Sequence, residues 1–456
     1  MARPLLLSLL LVGCAATPPA PPAAPSRPTS AASPAAPANA SPPARRVPAG
    51  VDQAIAAVDP SLAERDVRTL ASFGTRHTLS DTTSKVRGIG AARAWIKAEL
   101  ERVPGLTVSF DAHPLAADGK RVPHPIELVN VMAVLPGAMP EATARRYYVV
   151  GHFDSRVADV MDATSDAPGA NDDASGVTVV LEAARVLAAH RHDATLVFLA
   201  TAGEEQGLYG AQLHAKAARA AGLDVRAVLN DDIVGDPSGP SGTKHTGAIR
   251  VFSEGVPQGA DVGEVRKLAA ESDSPSRELA RYVAEVAAAH ALPVQPSLVF
   301  RADRFLRGGD HLPFNEVGYP AVRFTTVEET YARQHTPADV PGAVDPKYLA
   351  DVARLNVAVL AHLADAPRPP DDTRVVTAEL GNDVLLRWSP CPEPDVAGYE
   401  IVWRATTSPT WDHAKDVGKT TEARMPMSKD DFFYGVRAYD RDGYASPVAF
   451  AKAAAK

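Results

Sequence analysis

Residues 147–154 read YYVVGHFD, an apolar run of strand length that ends at a glycine and is followed by a histidine and an aspartate. Such a run indicates a buried strand. Similar runs are found at residues 126–135, 195–200, 225–229 and 319–325. Apolar residues at helical spacing lie between and after them, at residues 88–103, 174–190 and 346–365. This alternation predicts an α/β fold with a mostly parallel, helix-covered sheet.

Metal-type side chains follow three of these strands. His152 and Asp154 come directly after the run at residues 147–150. Glu204 and Glu205 follow the run at residues 195–200, and Asp232 follows the run at residues 225–229. Open α/β sheets place their sites at the carboxyl ends of neighbouring strands. These side chains are therefore predicted to lie close together.

Two more candidates complete a set of five ligands, which in chain order are His152, Asp172, Glu205, Asp232 and His335. Three carboxylates and two imidazoles suit a pair of zinc ions if one carboxylate bridges them. Cobalt and manganese are substitutes for zinc in such a site. Glu204 stands beside a ligand, where a general base belongs, and Asp154 can orient His152 by accepting its second ring N–H. The pattern indicates a zinc hydrolase.

Each position also has an ordinary structural explanation. The alternatives are a surface histidine at His152, helix capping by Asp172, favourable charge at a helix start for Glu204 and Glu205, and plain loop roles for Asp232 and His335. Asp173 also competes with Asp172, and Asp231 with Asp232, for the ligand role. Only the order of the whole set favours the metal site over these alternatives.

The N-terminal segment predicts export. Residues 1–14 combine a positive start with an apolar run too short to span a bilayer, and end in LVGC, which resembles a bacterial lipoprotein signal. Cys14 would then carry a lipid that anchors the protein to the bacterial cell envelope; an ordinary secretory signal would instead release it. Residues 15–48, rich in Ala and Pro, are predicted to be a disordered tether. The net charge of −8 without a basic tract argues against nucleic acid as a partner.

A second folded part follows the proline-rich stretch at residues 366–370. Alternating patterns predict strands at residues 384–388, 398–404 and 432–439. Residues 371–456 are expected to form an all-β, immunoglobulin-like sandwich. They resemble a fibronectin type III domain, read as an accessory module for a polymer or protein ligand.

The first folded part, residues 49–366, resembles the secreted and cell-surface di-zinc aminopeptidases of peptidase family M28. The motifs that carry the resemblance occur in order, as GHFDS at 151–155, PGANDDASG at 168–176, AGEEQGLYG at 202–210, NDDIVG at 230–235, GGDHLPF at 308–314 and QHTPAD at 334–339. The resemblance implies a zinc-exopeptidase, phosphorylase/hydrolase-like fold. It also implies release of N-terminal residues from peptides by a hydroxide that bridges two zinc ions.

Residue roles carry over by position. The resemblance implies that His152 and Asp232 hold one zinc, that Glu205 and His335 hold the other, that Asp172 bridges them and that Glu204 is the general base and acid. Family members commonly have a tyrosine just before the last histidine, which stabilises the oxyanion. Gln334 stands there in this chain, and Tyr331 is the nearest candidate. Asp310 and His311 are expected to shape the pocket.

Three other functions are compatible with the fold. Carboxypeptidases and single-zinc glutaminyl cyclases share it, and relatives that have lost ligands serve as binding proteins, here as a surface lipoprotein. All five ligand positions are retained in this chain. The two-metal aminopeptidase is therefore the favoured prediction.

Overall fold

The computed structural model describes residues 48–268, 270–378 and 381–453. The predicted signal at residues 1–14, the lipidation site Cys14 and all but the last residue of the predicted tether at 15–48 lie outside the described residues. Among the described residues, no helix combines the length and the apolar character needed to cross a membrane.

An eight-stranded sheet forms the centre of the fold. In chain order its strands are β1 (Thr107–Leu115), β2 (Ile126–Leu135), β3 (Arg145–His152), β4 (Thr195–Thr201), β5 (Asp224–Asp231), β6 (Ala248–Ser253), β7 (Gln295–Val299) and β8 (Ala321–Thr325). The spatial order is β1-β2-β4-β3-β5-β8-β6-β7. The central strands β4, β3, β5 and β8 are parallel neighbours, as are β6 and β7. β1 and β2 pair antiparallel, as do β2 and β4, and β6 and β8.

The predicted α/β fold with a mostly parallel sheet is confirmed. All five predicted strands are present, as β2, β3, β4, β5 and β8. β6, whose short apolar run is interrupted by Arg250, was not predicted. β1 and β7 were not predicted either, because all of their residues are half-buried or exposed, so neither carries a continuous apolar run. They lie at the two edges of the sheet.

Helices cover both faces of the sheet. They are α1 (Ala49–Ala56), α2 (Pro60–Ser72), α3 (Gly88–Glu101), α4 (Ala174–Leu187), α5 (Tyr209–Ala220), α6 (Val262–Lys267), α7 (Pro275–Ala289), α8 (His311–Glu316) and α9 (Pro346–Asp365). Tyr147 and Val149 of β3 belong to one buried cluster with α4 and α9, while Tyr148 and Val150 belong to another with α5 and α8. Because β3 is buried on both faces, its sequence is continuously apolar rather than alternating.

The C-terminal part contains two four-stranded sheets, with strand orders β13-β10-β9-β16 and β12-β11-β14-β15. Their strands are β9 (Arg374–Val375), β10 (Val384–Arg387), β11 (Val396–Ala405), β12 (His413–Gly418), β13 (Glu422–Met425), β14 (Phe432–Asp440), β15 (Ala449–Phe450) and β16 (Lys452–Ala453). The pairings are antiparallel except for β9 with β16. The rings of Trp388 and Tyr399, 5.7 Å apart, connect the two sheets. The expected strands are confirmed as β10, β11 and β14.

These C-terminal sheets contact α7 through buried polar groups. Arg281 on α7 pairs with Asp273 at 2.6 Å, and its Nε donates to the carbonyl oxygen of Pro409 at 2.7 Å. Arg404 on β11 pairs with the other oxygen of Asp273, also at 2.6 Å. All three charged side chains are nearly inaccessible to solvent. The contact therefore depends on a buried ion-pair network as well as on apolar surface.

Arg281→Ala is expected to destabilise the protein by about 3 kcal/mol, because breaking a buried pair leaves part of a charge uncompensated. Urea unfolding at pH 7 measures the loss. Arg387→Ala is the matched control, since the pair of Arg387 with Glu422 is about half exposed and is worth less than about 1 kcal/mol. Equal losses in the two variants would contradict a stabilising role for the buried network.

Candidate metal centre

The carboxyl ends of β3, β4 and β5 bring the predicted ligands together. His152 is the last residue of β3, Glu204 and Glu205 lie in the turn after β4, and Asp232 follows β5. Two sets of donor atoms each lie within 4.8 Å of one another: His152, Glu204 and Asp232 in one, and Asp172, Glu205 and His335 in the other. The structure thus collects all five predicted ligands and Glu204 in one place.

Asp172 lies between the two sets. Its Oδ1 is 3.3 Å from Nε2 of His152, and its Oδ2 is 3.3 Å from Nε2 of His335. The same nitrogen of His335 is 3.2 Å from Oε2 of Glu205, and Nε2 of His152 is 3.9 Å from Oδ1 of Asp232. One carboxylate therefore faces a different imidazole with each of its oxygens, which is the arrangement a bridging ligand needs.

Asp173 has the capping role that the sequence left open between the two aspartates. Its Oδ1 accepts the backbone N–H of Gly176 at 2.8 Å, in the first turn of α4, and that of Ile233 at 3.2 Å. Its Oδ2 accepts the backbone N–H of His152 at 3.1 Å. Asp173 thus caps α4 and holds the loops after β3 and β5 against that helix. It positions the candidate ligands and is not itself one of them.

Asp154 orients the residues around it. Nδ1 of His152 lies 3.1 Å from the carbonyl oxygen of Asp154 and 3.5 Å from its carboxylate, which leaves Nε2 directed at the other ligands. The two carboxylate oxygens of Asp154 accept the backbone N–H groups of Glu204 and Glu205, both at 3.2 Å. The hydroxyl of Thr78 donates to the same carboxylate at 2.9 Å. A ligand and the candidate base are therefore held by one buried side chain.

Asp339, which was not among the predicted site residues, fixes the backbone of Asp172. Its two oxygens accept the N–H groups of Asn171 and Asp172, each at 2.9 Å. It lies four residues after His335, inside the QHTPAD motif. Nothing in the motif alone shows that this aspartate points at the Asp172 turn, because the two segments are distant in sequence.

Asp339→Ala is expected to weaken metal binding by about 10- to 100-fold, the usual cost of removing a group that orients ligands. The change frees two N–H groups and lets the Asp172 turn move. Competition with a chromophoric chelator measures the affinity. Asp345→Ala is the control, since Asp345 also accepts two backbone N–H groups, those of Lys347 and Tyr348 at the start of α9. It should cost about 1 kcal/mol of stability with unchanged metal affinity.

The electrostatics of the site favour bound cations. Burial, only partly offset by His152, raises the pKa of Glu204 well above its usual range. Burial likewise raises the pKa of Asp310 to about 7. Burial lowers the pKa of His335, but the hydrogen bonds and charges of Asp172 and Glu205 outweigh it and raise that pKa to about 9. Oε1 of Glu205 is buried and has no hydrogen-bond partner among the described residues. The donor set, with its cluster of buried carboxylates, suits divalent cations.

Tyr331 lies outside the cavity over the ligands. Its side chain is 59% exposed and lines a separate groove together with Arg250 and Glu329. The guanidinium of Arg307 stacks on its ring at 5.4 Å. Gln334 is buried and donates to Glu329 at 3.1 Å. The oxyanion role of Tyr331 stays a prediction.

Asp310 and His311, which were expected to shape the pocket, do not line the cavity. Asp310 accepts a hydrogen bond from the hydroxyl of Thr201, at the end of β4. His311 is fully buried and its Nε2 lies 2.8 Å from the carbonyl oxygen of Ala302. Both residues therefore support the loop beneath the cavity.

Arginines surround the ligands, and the sequence reasoning missed them. A cavity of about 250 Å³ is lined by the ligands Asp172, Glu205, Asp232 and His335, by Glu204, and by Arg121, Arg156, Arg304, Arg307 and Arg323. Nη2 of Arg323 is 2.9 Å from Asp232, and Nε of Arg156 donates to Glu205 at 2.7 Å. Arg323 offered one signal, a charged residue inside the predicted buried strand at 319–325. The other four lie in loops without periodicity.

Comparison with known proteins supplies the family. The model of peptidase family M28 matches residues 130–360. A probable zinc metalloprotease of Leptosphaeria maculans is 43% identical over 406 residues, which is 85% of this chain and 93% of that protein. Another from Pyricularia oryzae is 41% identical over 428 residues, covering 88% and 84% of the two chains. The chain belongs to peptidase family M28. The expectation of a peptidase of this family is confirmed.

Solved structures agree with the fold of this M28 peptidase. An aminopeptidase from Aneurinibacillus sp. strain AM-1 is 16% identical, with a TM-score of 0.51, over 69% of this chain and 96% of that chain. A glutaminyl cyclase from Macrostomum lignano is also 16% identical, with a TM-score of 0.52, over 70% and 93%. At such identities the likeness concerns the fold alone.

Proposed function

We propose that this M28 peptidase is a two-zinc aminopeptidase that releases N-terminal residues from peptides. The observation that carries the proposal is Asp172, whose two oxygens face His152 and His335 at 3.3 Å each. In this proposal His152 and Asp232 hold one zinc, and Glu205 and His335 hold the other. Zinc is preferred because mixed imidazole and carboxylate ligands suit it, and the fungal relatives are described as probable zinc metalloproteases.

The residues of the chain divide the chemistry among them. Bound zinc would polarise the scissile carbonyl and lower the pKa of water at the site. Glu204, beside the donor atoms of His152 and Asp232, takes the proton of the attacking water and passes it to the leaving amine. Asp154 keeps Glu204 in place through its backbone N–H. The small cavity limits the substrate to a chain end.

Zinc content and substrate direction test the proposal together. The purified chain, reconstituted with zinc, is expected to hold two zinc ions and to hydrolyse aminoacyl-nitroanilides with a free amine. If it holds two ions but cleaves only N-blocked peptides from their C-terminus, the enzyme is a carboxypeptidase. If it releases ammonia from glutaminyl peptides instead, it is a cyclase. Failure to bind metal after reconstitution would refute the metal centre.

We also propose that the chain is exported and anchored through a lipid on Cys14, with residues 15–48 as the tether. The LVGC motif after the apolar run supports this. Expression in a bacterial host with radiolabelled palmitate should label the parent chain and leave Cys14→Ser unlabelled. Labelling of both chains, or of neither, would contradict the anchor.

The C-terminal residues 371–456 are proposed to be a fibronectin type III-like accessory module that follows the peptidase domain at 49–366. Their strand pattern and their two antiparallel-rich sheets support this. An accessory role predicts that substitutions on exposed faces of these sheets leave hydrolysis of small substrates unchanged while reducing binding to a polymer or protein. Lost hydrolysis with an intact fold would argue against it.

A further inference from the structure

The cavity over the ligands has an unusual charge for an enzyme that would bind only a free amine. Four carboxylates line it, those of Asp172, Glu204, Glu205 and Asp232, together with five arginines. A pair of divalent cations would balance those carboxylates. The arginines would then be opposed mainly by Asp303 and Glu329, which lie behind the cavity wall. A substrate in the loaded site would therefore meet a net positive surface.

Not all of these arginines are available to a substrate. All three side-chain nitrogens of Arg304 donate hydrogen bonds within the protein. Its Nε donates to Asp303, and its two terminal nitrogens donate to Glu329 and to the carbonyl oxygen of Gly308. Arg323 pairs with Asp232 and Asp303. These two arginines hold the wall of the cavity.

Among the described residues, Arg121, Arg156 and Arg307 keep unpartnered donors. Arg121 and Arg156 each bond Glu205, whereas Arg307 bonds none of the candidate ligands. Its Nη1 donates to Oε1 of Gln334 at 3.1 Å and is 3.6 Å from Glu329, while its Nε and Nη2 have no hydrogen-bond partner among the described residues. Its side chain is 31% exposed and stacks on the ring of Tyr331 at 5.4 Å. The guanidinium group is planar and presents its N–H donors as a fork. Such a fork matches the two oxygens of a carboxylate.

We infer that the site takes peptides that carry a carboxylate next to the scissile bond, and that Arg307 binds this carboxylate. The inference rests on the proposed function and narrows its substrate class. The carboxylate can come from two sources. One is the C-terminal carboxylate of a substrate, such as a dipeptide, whose scissile bond precedes its last residue; the other is the side chain of an aspartate or glutamate. Arg156, which lines the same cavity and has an unpartnered Nη2 among the described residues, adds positive charge there.

Matched acid and amide substrates test the inference on the full zinc-loaded chain. The first pair is alanyl-alanine and its C-terminal amide, and the second is glutamyl-nitroanilide and glutaminyl-nitroanilide. The third pair is the C-terminal amides of alanyl-glutamate and alanyl-glutamine, which differ only in a free or an amidated side chain. At least one acid is expected to exceed its amide in kcat/KM by about 10-fold or more. The pair that shows the preference identifies the source of the carboxylate.

Variants assign the preference to a residue. Arg307→Gln is expected to lower the ratio of kcat/KM for the preferred acid to that for its amide by about 10- to 100-fold, as loss of a hydrogen bond to a charged group predicts. Arg307→Lys should restore only part of the preference. Arg301→Gln is the matched control, because Arg301 lies on the same loop, is exposed, stacks on Phe305 and does not line the cavity.

Failure of the inference and failure of the proposed function are distinguishable. Equal cleavage of every acid and amide pair would overturn the inference and leave the peptidase assignment standing. If no substrate is cleaved, calorimetry of zinc-loaded Glu204→Gln with the same pairs decides the inference. Tighter binding of an acid than of its amide, lost in the Glu204→Gln and Arg307→Gln double variant, would support it. Equal binding, or none, would overturn it.

Discussion

Glu204→Gln is expected to lower kcat by about a thousandfold, within the range that general acid–base catalysis contributes. The amide has nearly the same size as the carboxylate but cannot accept the proton of the attacking water. The backbone N–H of residue 204 would still donate its hydrogen bond to Asp154. Steady-state kinetics and zinc analysis of the same preparation measure the effect, and zinc content and melting temperature should not change.

Glu316→Gln is the control, since Glu316 is an exposed glutamate at the end of α8. Two results would change the role of Glu204. Retention of more than a tenth of the activity would exclude it as the base. Loss of a zinc ion would make it a ligand, which its position among the donor atoms of His152 and Asp232 allows.

Asp172→Asn is expected to remove at least one of the two zinc ions and to lower kcat/KM by more than about a hundredfold. The substitution keeps the shape of the side chain but replaces one of its two oxygens with an N–H₂ group, which cannot bind a metal ion. The proposed zinc beside either His152 or His335 therefore loses its ligand from residue 172. Metal analysis after dialysis against a weak chelator measures the loss.

The neighbouring Asp173→Asn is the matched control. Asparagine can cap α4 through its side-chain oxygen, but its N–H₂ group cannot accept the N–H of His152 as Oδ2 of Asp173 does. This variant should therefore retain its bound metal and lose about 1–3 kcal/mol of unfolding free energy. If Asp173→Asn lost metal and Asp172→Asn kept it, the bridging and capping roles would have to be exchanged.

The sequence predicted the central strands well because each is buried on both faces. β3 alternates Tyr147 and Val149 toward one helix layer with Tyr148 and Val150 toward the other, so every residue is apolar. The edge strands β1 and β7 have no such requirement and therefore left no signal. The same reasoning placed His152, Glu205 and Asp232 at adjacent strand ends, because a parallel sheet brings those ends together.

The choice between neighbouring acids could not be made from the sequence. Capping and metal binding both favour aspartate, so Asp172 and Asp173 were equivalent by residue type. The backbone decides the difference, since it directs Asp173 at the N–H groups of Gly176 and Ile233 and Asp172 at the two imidazoles. For Tyr331, the sequence gives only proximity to His335; in the folded chain its side chain lines a separate groove and its ring lies 5.4 Å from the guanidinium of Arg307.

The sequence by itself determined the α/β sheet, the family and the candidate ligands of the proposed metal centre, because these depend on local patterns and on short motifs. Only the tertiary structure decided the lining of the cavity. Arg121, Arg156, Arg307 and Arg323 come from separate segments of the chain, and no local pattern records which distant loops will meet. The charge that a substrate encounters depends on which loops come together around the cavity, so it is defined only in the folded chain.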